Sequence, residues 1–381
     1  MANEQVPGTQ LQGKKEPDRL EKPDYLRWGI IAVVLIFVII FSLVYYQSSR
    51  ESGMPSPSPT YAPTATPLPT QAPLPTIAPT ATDEPIPTIV FKEPVACGRI
   101  TKSVTLNKDI TTRESCFVVG AEDVTIDCAG FAIYSKSTEN TTGVYTEYAN
   151  TKVKNCAFDS FEIGVRLFKA DGSSVESSTF SNNMGGVLVE RLKGASVEKS
   201  TFINSTQVGI YMASVTDSKI IDNFMDNSIK YGLQMVSSDR NTIRNNQIFR
   251  NNFGMQLTQS KDNLFEGNNM SFNSAGLKIV AGSSGNVFKN NLVYYSRGIG
   301  VHITDFSNDN VFQSNSFIQN EYGINIRDSN EILVNNYICD NTIEDVECNK
   351  AQANATGNTC FTRAIYCGFD CAARCPNAKV V

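Results

Sequence analysis

The stretch GLQMVSSDRNTIRNNQIFRNNFGMQLTQSKDNLFEGNNMSFNSAGLKIV, residues 232–280, decides the fold. A glycine leads an apolar, any, apolar triplet at Gly232, Gly254 and Gly276, at intervals of about 22 residues. Between these triplets a second apolar position recurs at Ile243 and Phe265, and a third, five residues on, at Ile248 and Met270. Apolar and polar residues alternate around each marker, which is the period of a β-strand. The spacing of an amphipathic helix is absent. A period this short and this regular places each residue over its counterpart in the next turn, about 4.8 Å away, the spacing of hydrogen-bonded strands. The expectation is an all-β solenoid cored by three apolar ladders.

The pattern extends in both directions. Glycine-led triplets occur as GVRL from Gly164, GVLV from Gly186, GIYM from Gly209, GVHI from Gly300 and GINI from Gly323, and Gly143 with Val144 starts the series. The second ladder reads Val153, Val175, Val197, Ile220, Ile243, Phe265, Phe288, Phe312 and Ile332. The third reads Phe158, Phe180, Phe202, Met225, Ile248, Met270, Val293, Phe317 and Tyr337. Asparagines keep two further phases. One includes Asn223, Asn246, Asn268, Asn291, Asn315 and Asn335; the other includes Asn241, Asn263, Asn286, Asn310 and Asn330. Asparagine tolerates the left-handed backbone of sharp corners, and stacked amides bond to one another along the axis.

These triplets and Asn-x-Phe repeats, with the opening VTIDCAGFAI at 124–133, resemble the right-handed parallel β-helix repeat family. That family includes pectate-lyase-like and NosD-like surface proteins. The resemblance spans roughly residues 97–340. It implies the fold, and a bias toward carbohydrate binding or cleavage, but one such fold carries many activities.

The ten cysteines fall at the two ends of the repeat. Cys97, Cys116, Cys128 and Cys156 stand at its start, and Cys339, Cys348, Cys360, Cys367, Cys371 and Cys375 at its end. Even numbers in both groups suggest disulfides and an oxidising compartment, with the connectivity open. A Cys128–Cys156 bridge would staple adjacent rungs. The spacing of Cys367, Cys371 and Cys375 also admits a metal site, although the usual CxxC knuckle is absent.

Residues 29–46, GIIAVVLIFVIIFSLVYY, are an uncharged apolar run long enough for a membrane helix, flanked by Trp28 and closed by Tyr45 and Tyr46. Lys14, Lys15, Arg19, Lys22 and Arg27 precede the run and Arg50 follows it, which places the N-terminus in the cytoplasm. Residues 47–94, rich in Pro, Thr, Ser and Ala, read as an extended stalk. The expected order is a cytoplasmic tail over 1–28, a single span over 29–46, the stalk over 47–94, the β-helix over 95–338 and a Cys-rich cap over 339–381. The C-terminal domain is then extracellular, at the plasma membrane.

The net charge of −5 and the 19% of charged residues give no reason to expect a nucleic-acid partner. His302 is the single histidine, so a site needing two imidazoles is excluded within one chain. Copper would have to rest on methionines such as Met212 and Met235, which read as core. Calcium lacks a dense acidic cluster, and no cofactor is expected. The candidates for acid–base work are His302 with Asp305, Asp309 and Asp328.

The residue two after each glycine should point outward. This gives a file of Arg166, Leu188, Tyr211, Gln234, Gln256, Lys278, His302 and Asn325, suited to a long glycan. Glycosylation sequons begin at Asn140, Asn204, Asn269 and Asn354. Three functions follow: a surface module that binds or adheres to carbohydrate, a polysaccharide lyase or hydrolase, and a glycosylated structural rod. The first is preferred.

Overall fold

The computed structural model describes residues 95–361 and 367–376. The proposed membrane segment and stalk lie outside them. Among the described residues no helix is long and apolar enough to cross a membrane. These residues form 36 short strands. The strands make three parallel sheets of twelve, and each sheet takes every third strand. The chain therefore climbs one rung per three strands. Sheet A holds the glycine-led strands, such as Gly185–Glu190 and Phe253–Thr258. Sheets B and C hold three-residue strands such as Thr242–Arg244 and Gln247–Phe249.

In-register pairing stacks like on like. Phe158, Phe180 and Phe202 stack with ring centroids 5.2 and 4.8 Å apart. Phe265, Phe288 and Phe312 stack at 4.6 and 4.7 Å. All six rings are fully buried, each contributing about 2–3 kcal/mol. Sheet A adds two inward columns, one through Leu233, Met255 and Leu277, the other through Met235, Leu257 and Ile279. The methionines the copper reading would need are thus core.

The leading glycines are required by space. A Cβ on Gly164 would stand 2.5 Å from Cδ1 of Phe180 and 2.7 Å from the Gly186 carbonyl oxygen. Backbone and a stacked ring cannot both move aside. Gly164→Ala is expected to cost about 3 kcal/mol through overpacking, read as a lowered urea midpoint. An unchanged midpoint would mean that the rung relaxes.

At the B–C corner the Cys128–Cys156 disulfide begins a polar ladder. It continues through Ser178 and Ser200 to Asn223, Asn246, Asn268, Asn291, Asn315, Asn336 and Asn358. Asn246 is typical. Its Nδ2 donates to the Ile220 carbonyl at 2.8 Å and to Asn268 Oδ1 at 2.9 Å, and its Oδ1 accepts from the Asn223 backbone N–H at 3.0 Å. A matching ladder at the A–B corner runs Asn241, Asn263, Asn286, Asn310. Buried amides thus satisfy the corner backbone groups that no strand can pair.

The structure corrects the sequence reading at several points. The left-handed residue is not the ladder asparagine but the one before it, as at Asn245 (φ 55°) before Asn246 and Asp262 (φ 55°) before Asn263. In the later turns the ladders run through Leu333, Ile338 and Asn336, each one residue beyond the expected Ile332, Tyr337 and Asn335. In the A–B ladder the expected Asn330 gives way to Glu331. The step from Asn310 to Glu331 is 21 residues, shorter than the 24 from Asn286 to Asn310 but one longer than the step to the expected Asn330, so every marker lies one residue later. The helix also continues past 338: strands Glu344–Asn349, Gln352–Thr356 and Thr359–Cys360 complete a further rung inside the segment read as a cap.

All ten cysteines are paired: Cys97–Cys116, Cys128–Cys156, Cys339–Cys375, Cys348–Cys367 and Cys360–Cys371. The metal alternative for Cys367, Cys371 and Cys375 is therefore overturned, because a disulfide sulfur carries no thiolate. The bridges sit within the first three and the last two rungs, toward the ends where strands expose core.

Candidate carbohydrate-binding face

Sheet A has the longest strands and so the broadest outer face. The leading glycine and the residue after it both turn inward, and the next side chain turns out. Register places these outward residues in one file: Arg166 beside Leu188, then Tyr211, Gln234, Gln256, Lys278, His302, Asn325 and Glu347. The file is half-buried between its flanking columns, except at Asn325, which is buried. Asn325 bonds to Glu347 and to Arg327, so it closes the file rather than extending a free surface.

The residue before each glycine also faces outward and supplies a parallel column that sequence reading missed. Tyr231 and Phe253 stack there with centroids 5.5 Å apart. Lys278 Nζ lies 5.6 Å from the centre of the Phe253 ring. The signal was legible, since a glycine forced inward by crowding turns its predecessor outward.

The file differs along its length. At one end Arg166 pairs with Glu190 at 2.6 Å and lies over Phe168, so its charge is compensated. Tyr145, beside it, is pushed up to about 12, by burial first and then by its bond to Glu147, and stays a neutral phenol. Burial, and then Glu190, also raises Tyr211. At the other end a depression of about 390 Å³ is lined by Glu344, Glu347, Cys348, Asn349 and Lys350. The centre carries the amides, Lys278 and His302. Among the described residues no carboxylate pairs with Lys278. The pKa of His302 is held below the ordinary value, first by burial and then by Lys278 and Arg327, so its imidazole is neutral at pH 7. Its Nε2 is buried with no hydrogen-bond partner.

The carboxylates considered for catalysis do not join this centre. Asp305 and Asp328 are exposed at the corner where sheet A passes to sheet B, with φ of 58° and 49°. Asp309 is exposed at the next corner before sheet B, with φ 60°. Asp217 and Asp226 serve ion pairs with Arg240 and Arg250. No group of three or more potential metal ligands occurs among the described residues. Of the sequons, Asn140, Asn204 and Asn354 are exposed and Asn269 is half-buried.

A parallel β-helix with a polar and aromatic outer file defines a class of solenoid proteins with an elongated face. The model of the right handed beta helix region matches this chain over residues 112–213, 142–293 and 185–343, which together exceed half its length. The chain belongs to that family.

Solved structures with the same fold include a mutant of the periplasmic alginate epimerase AlgG (16% identity, TM-score 0.54, 65% of this chain and 66% of that one). They also include the catalytic unit of the GH87 alpha-1,3-glucanase from Streptomyces thermodiastaticus (11% identity, TM-score 0.52, 68% and 61%). A third is the A-module of the mannuronan C-5 epimerase AlgE4 from Azotobacter vinelandii (13% identity, TM-score 0.50, 69% and 83%). At these identities the likeness is one of fold alone. No curated protein matches the sequence.

Proposed function

We propose that this chain is a membrane-anchored extracellular module that binds an acidic polysaccharide along the outer face of sheet A. The observation that carries the reading is the centre of the file. Gln234, Gln256, a Lys278 with no carboxylate partner among the described residues and a neutral His302 lie in register, with the Tyr231–Phe253 stack beside the two glutamines. Amides and imidazole suit hydroxyls, the ammonium suits a sugar carboxylate, and the rings suit the apolar face of a pyranose. The rung spacing repeats these groups along a chain-like ligand. Several structures that share the fold come from proteins acting on polysaccharides, alginate among them. The apolar run at 29–46, the stalk at 47–94 and the disulfides support an anchor with the β-helix in an oxidising compartment.

The combined substitution Gln234→Ala, Gln256→Ala and Lys278→Ala is expected to weaken retention on immobilised alginate about 100-fold, from three lost contacts of about 1 kcal/mol each. The Lys278 share should shrink in high salt. Retention equal to wild type would reject this face.

A further inference from the structure

The end of the sheet A file that starts at Arg166 carries more positive charge than the file itself shows. Phe168 stands two residues beyond Arg166, on the same outward face, in the strand Ile163–Phe168. Cations surround its ring. The guanidinium carbons of Arg166 and Arg191 each lie 5.6 Å from the ring centre, and Lys169 Nζ lies 5.2 Å from it. Glu190 compensates Arg166. Among the described residues neither Lys169 nor Arg191 forms an ion pair with a carboxylate. Asp171, two residues beyond Lys169, accepts from the Lys193 backbone N–H at 2.9 Å.

Lys169 and Arg191 are exposed corner residues on adjacent rungs, with left-handed backbones of φ 54° and 55°. The next three rungs hold Ser214, Ser237 and Gln259 at the same corner. Like charges on neighbouring strands repel, and an exposed ring offsets this by only about 0.5–1 kcal/mol per cation. An anion from outside the chain would relieve the repulsion and gain charge-assisted hydrogen bonds from both side chains.

Register fixes the distance from this cluster to the centre of the file. From Gly185–Glu190 the sheet passes through Val208–Ala213, Tyr231–Val236 and Phe253–Thr258 to Ala275–Val280, which holds Lys278. Those four steps span about 19 Å. None of the three strands between contains a charged residue. This stretch of the outer face therefore has cations at both ends, with Tyr211, Gln234 and Gln256 between them.

We propose, on the reading of sheet A as a face for an acidic polysaccharide, that Lys169 and Arg191 over Phe168 form a second anion subsite, and that one glycan chain spans it and Lys278 with an acidic group at each. An extended glycan advances by about one rung height per sugar, so about five sugars are needed to reach both places. The sugars between lie over the amides and the Tyr231–Phe253 stack. The subsite thus sets a minimum length for the ligand.

The test titrates the full chain, disulfides intact, with alginate oligomers of defined length: a trimer, a hexamer and an octamer. Wild type is expected to bind the hexamer about ten-fold more tightly than the trimer, with little further gain at the octamer. The double variant Lys169→Asn, Arg191→Asn, whose asparagines suit a left-handed corner, should lose that gain and bind hexamer and trimer about equally. Its urea midpoint should match wild type, which separates a lost site from a lost fold. The exchange Lys169→Arg, Arg191→Lys keeps both charges and should keep the gain.

A double asparagine variant that retains the gain overturns the second subsite, and so does a wild type that binds trimer and hexamer alike. Both outcomes leave the binding face itself standing. Failure of wild type to bind even long-chain alginate overturns that face, and the subsite with it.

Discussion

Glu331→Gln is expected to stabilise the protein by about 3 kcal/mol at pH 7. Glu331 holds the place of an asparagine in the A–B ladder. Its Oε2 accepts from the Asn310 backbone N–H at 2.9 Å, and its Oε1 is buried with no partner. Burial pushes the carboxyl from 4.5 up to about 9, the bond from Asn310 opposes this, and Asp309 adds a smaller push upward.

The sign follows from proton binding. Between those two values the folded chain keeps the proton that the unfolded chain has lost. Stability is therefore fully present below the unfolded value and falls as pH rises toward about 9. Glutamine keeps the acceptor and cannot ionise. Urea melts of both proteins should coincide near pH 4 and separate steadily above it. Parallel curves across the range would show that Glu331 is solvated.

Asn246→Ala carries the largest expected loss, about 4 kcal/mol. Asn246 is fully buried. The substitution strands the Asn223 backbone N–H, takes the side-chain donor from the Ile220 carbonyl and removes one of the two acceptors of the Asn223 amide, while Asn268 Oδ1 keeps the backbone N–H of residue 246. Water cannot reach them while the rung stays closed. The exposed amide ladder through Asn182, Asn204 and Asn227 supplies the control. Asn204→Ala removes a comparable side-chain pair at the surface and should change stability by no more than about 0.5 kcal/mol. Equal effects at the two sites would mean that the buried ladder opens to solvent.

The solenoid was legible because three marker types recur in phase, and only a stacked structure reconciles them. The last turns were misread by one residue for a physical reason. Ile332 and Leu333 are both apolar, Asn335 and Asn336 are identical, and Tyr337 stands beside Ile338. A period of two cannot choose between adjacent candidates when a loop has shortened. The burial of Glu331 was hidden by the same shift. The register of the outward residues on sheet A was legible as far as His302, because the crowded glycine fixes which residue turns out. The burial of Asn325 depends on Glu347 in the next rung, which falls in the segment read as a cap. Of the five disulfides, Cys128–Cys156 was legible, because both cysteines fall at one corner phase of adjacent turns; the other four were not, since spacing alone does not tell which end segments are neighbours.

The most direct measurement incubates the full chain, disulfides intact, with immobilised acidic and neutral polysaccharides, and reads retained protein and released oligosaccharide in the same tubes. The account predicts retention on the acidic ligand, weaker retention on the neutral ones, and no product. Release of product would make His302, Asp305, Asp309 and Asp328 the first residues to substitute and would contradict a purely binding face. Absence of retention on every ligand would contradict the carbohydrate reading itself.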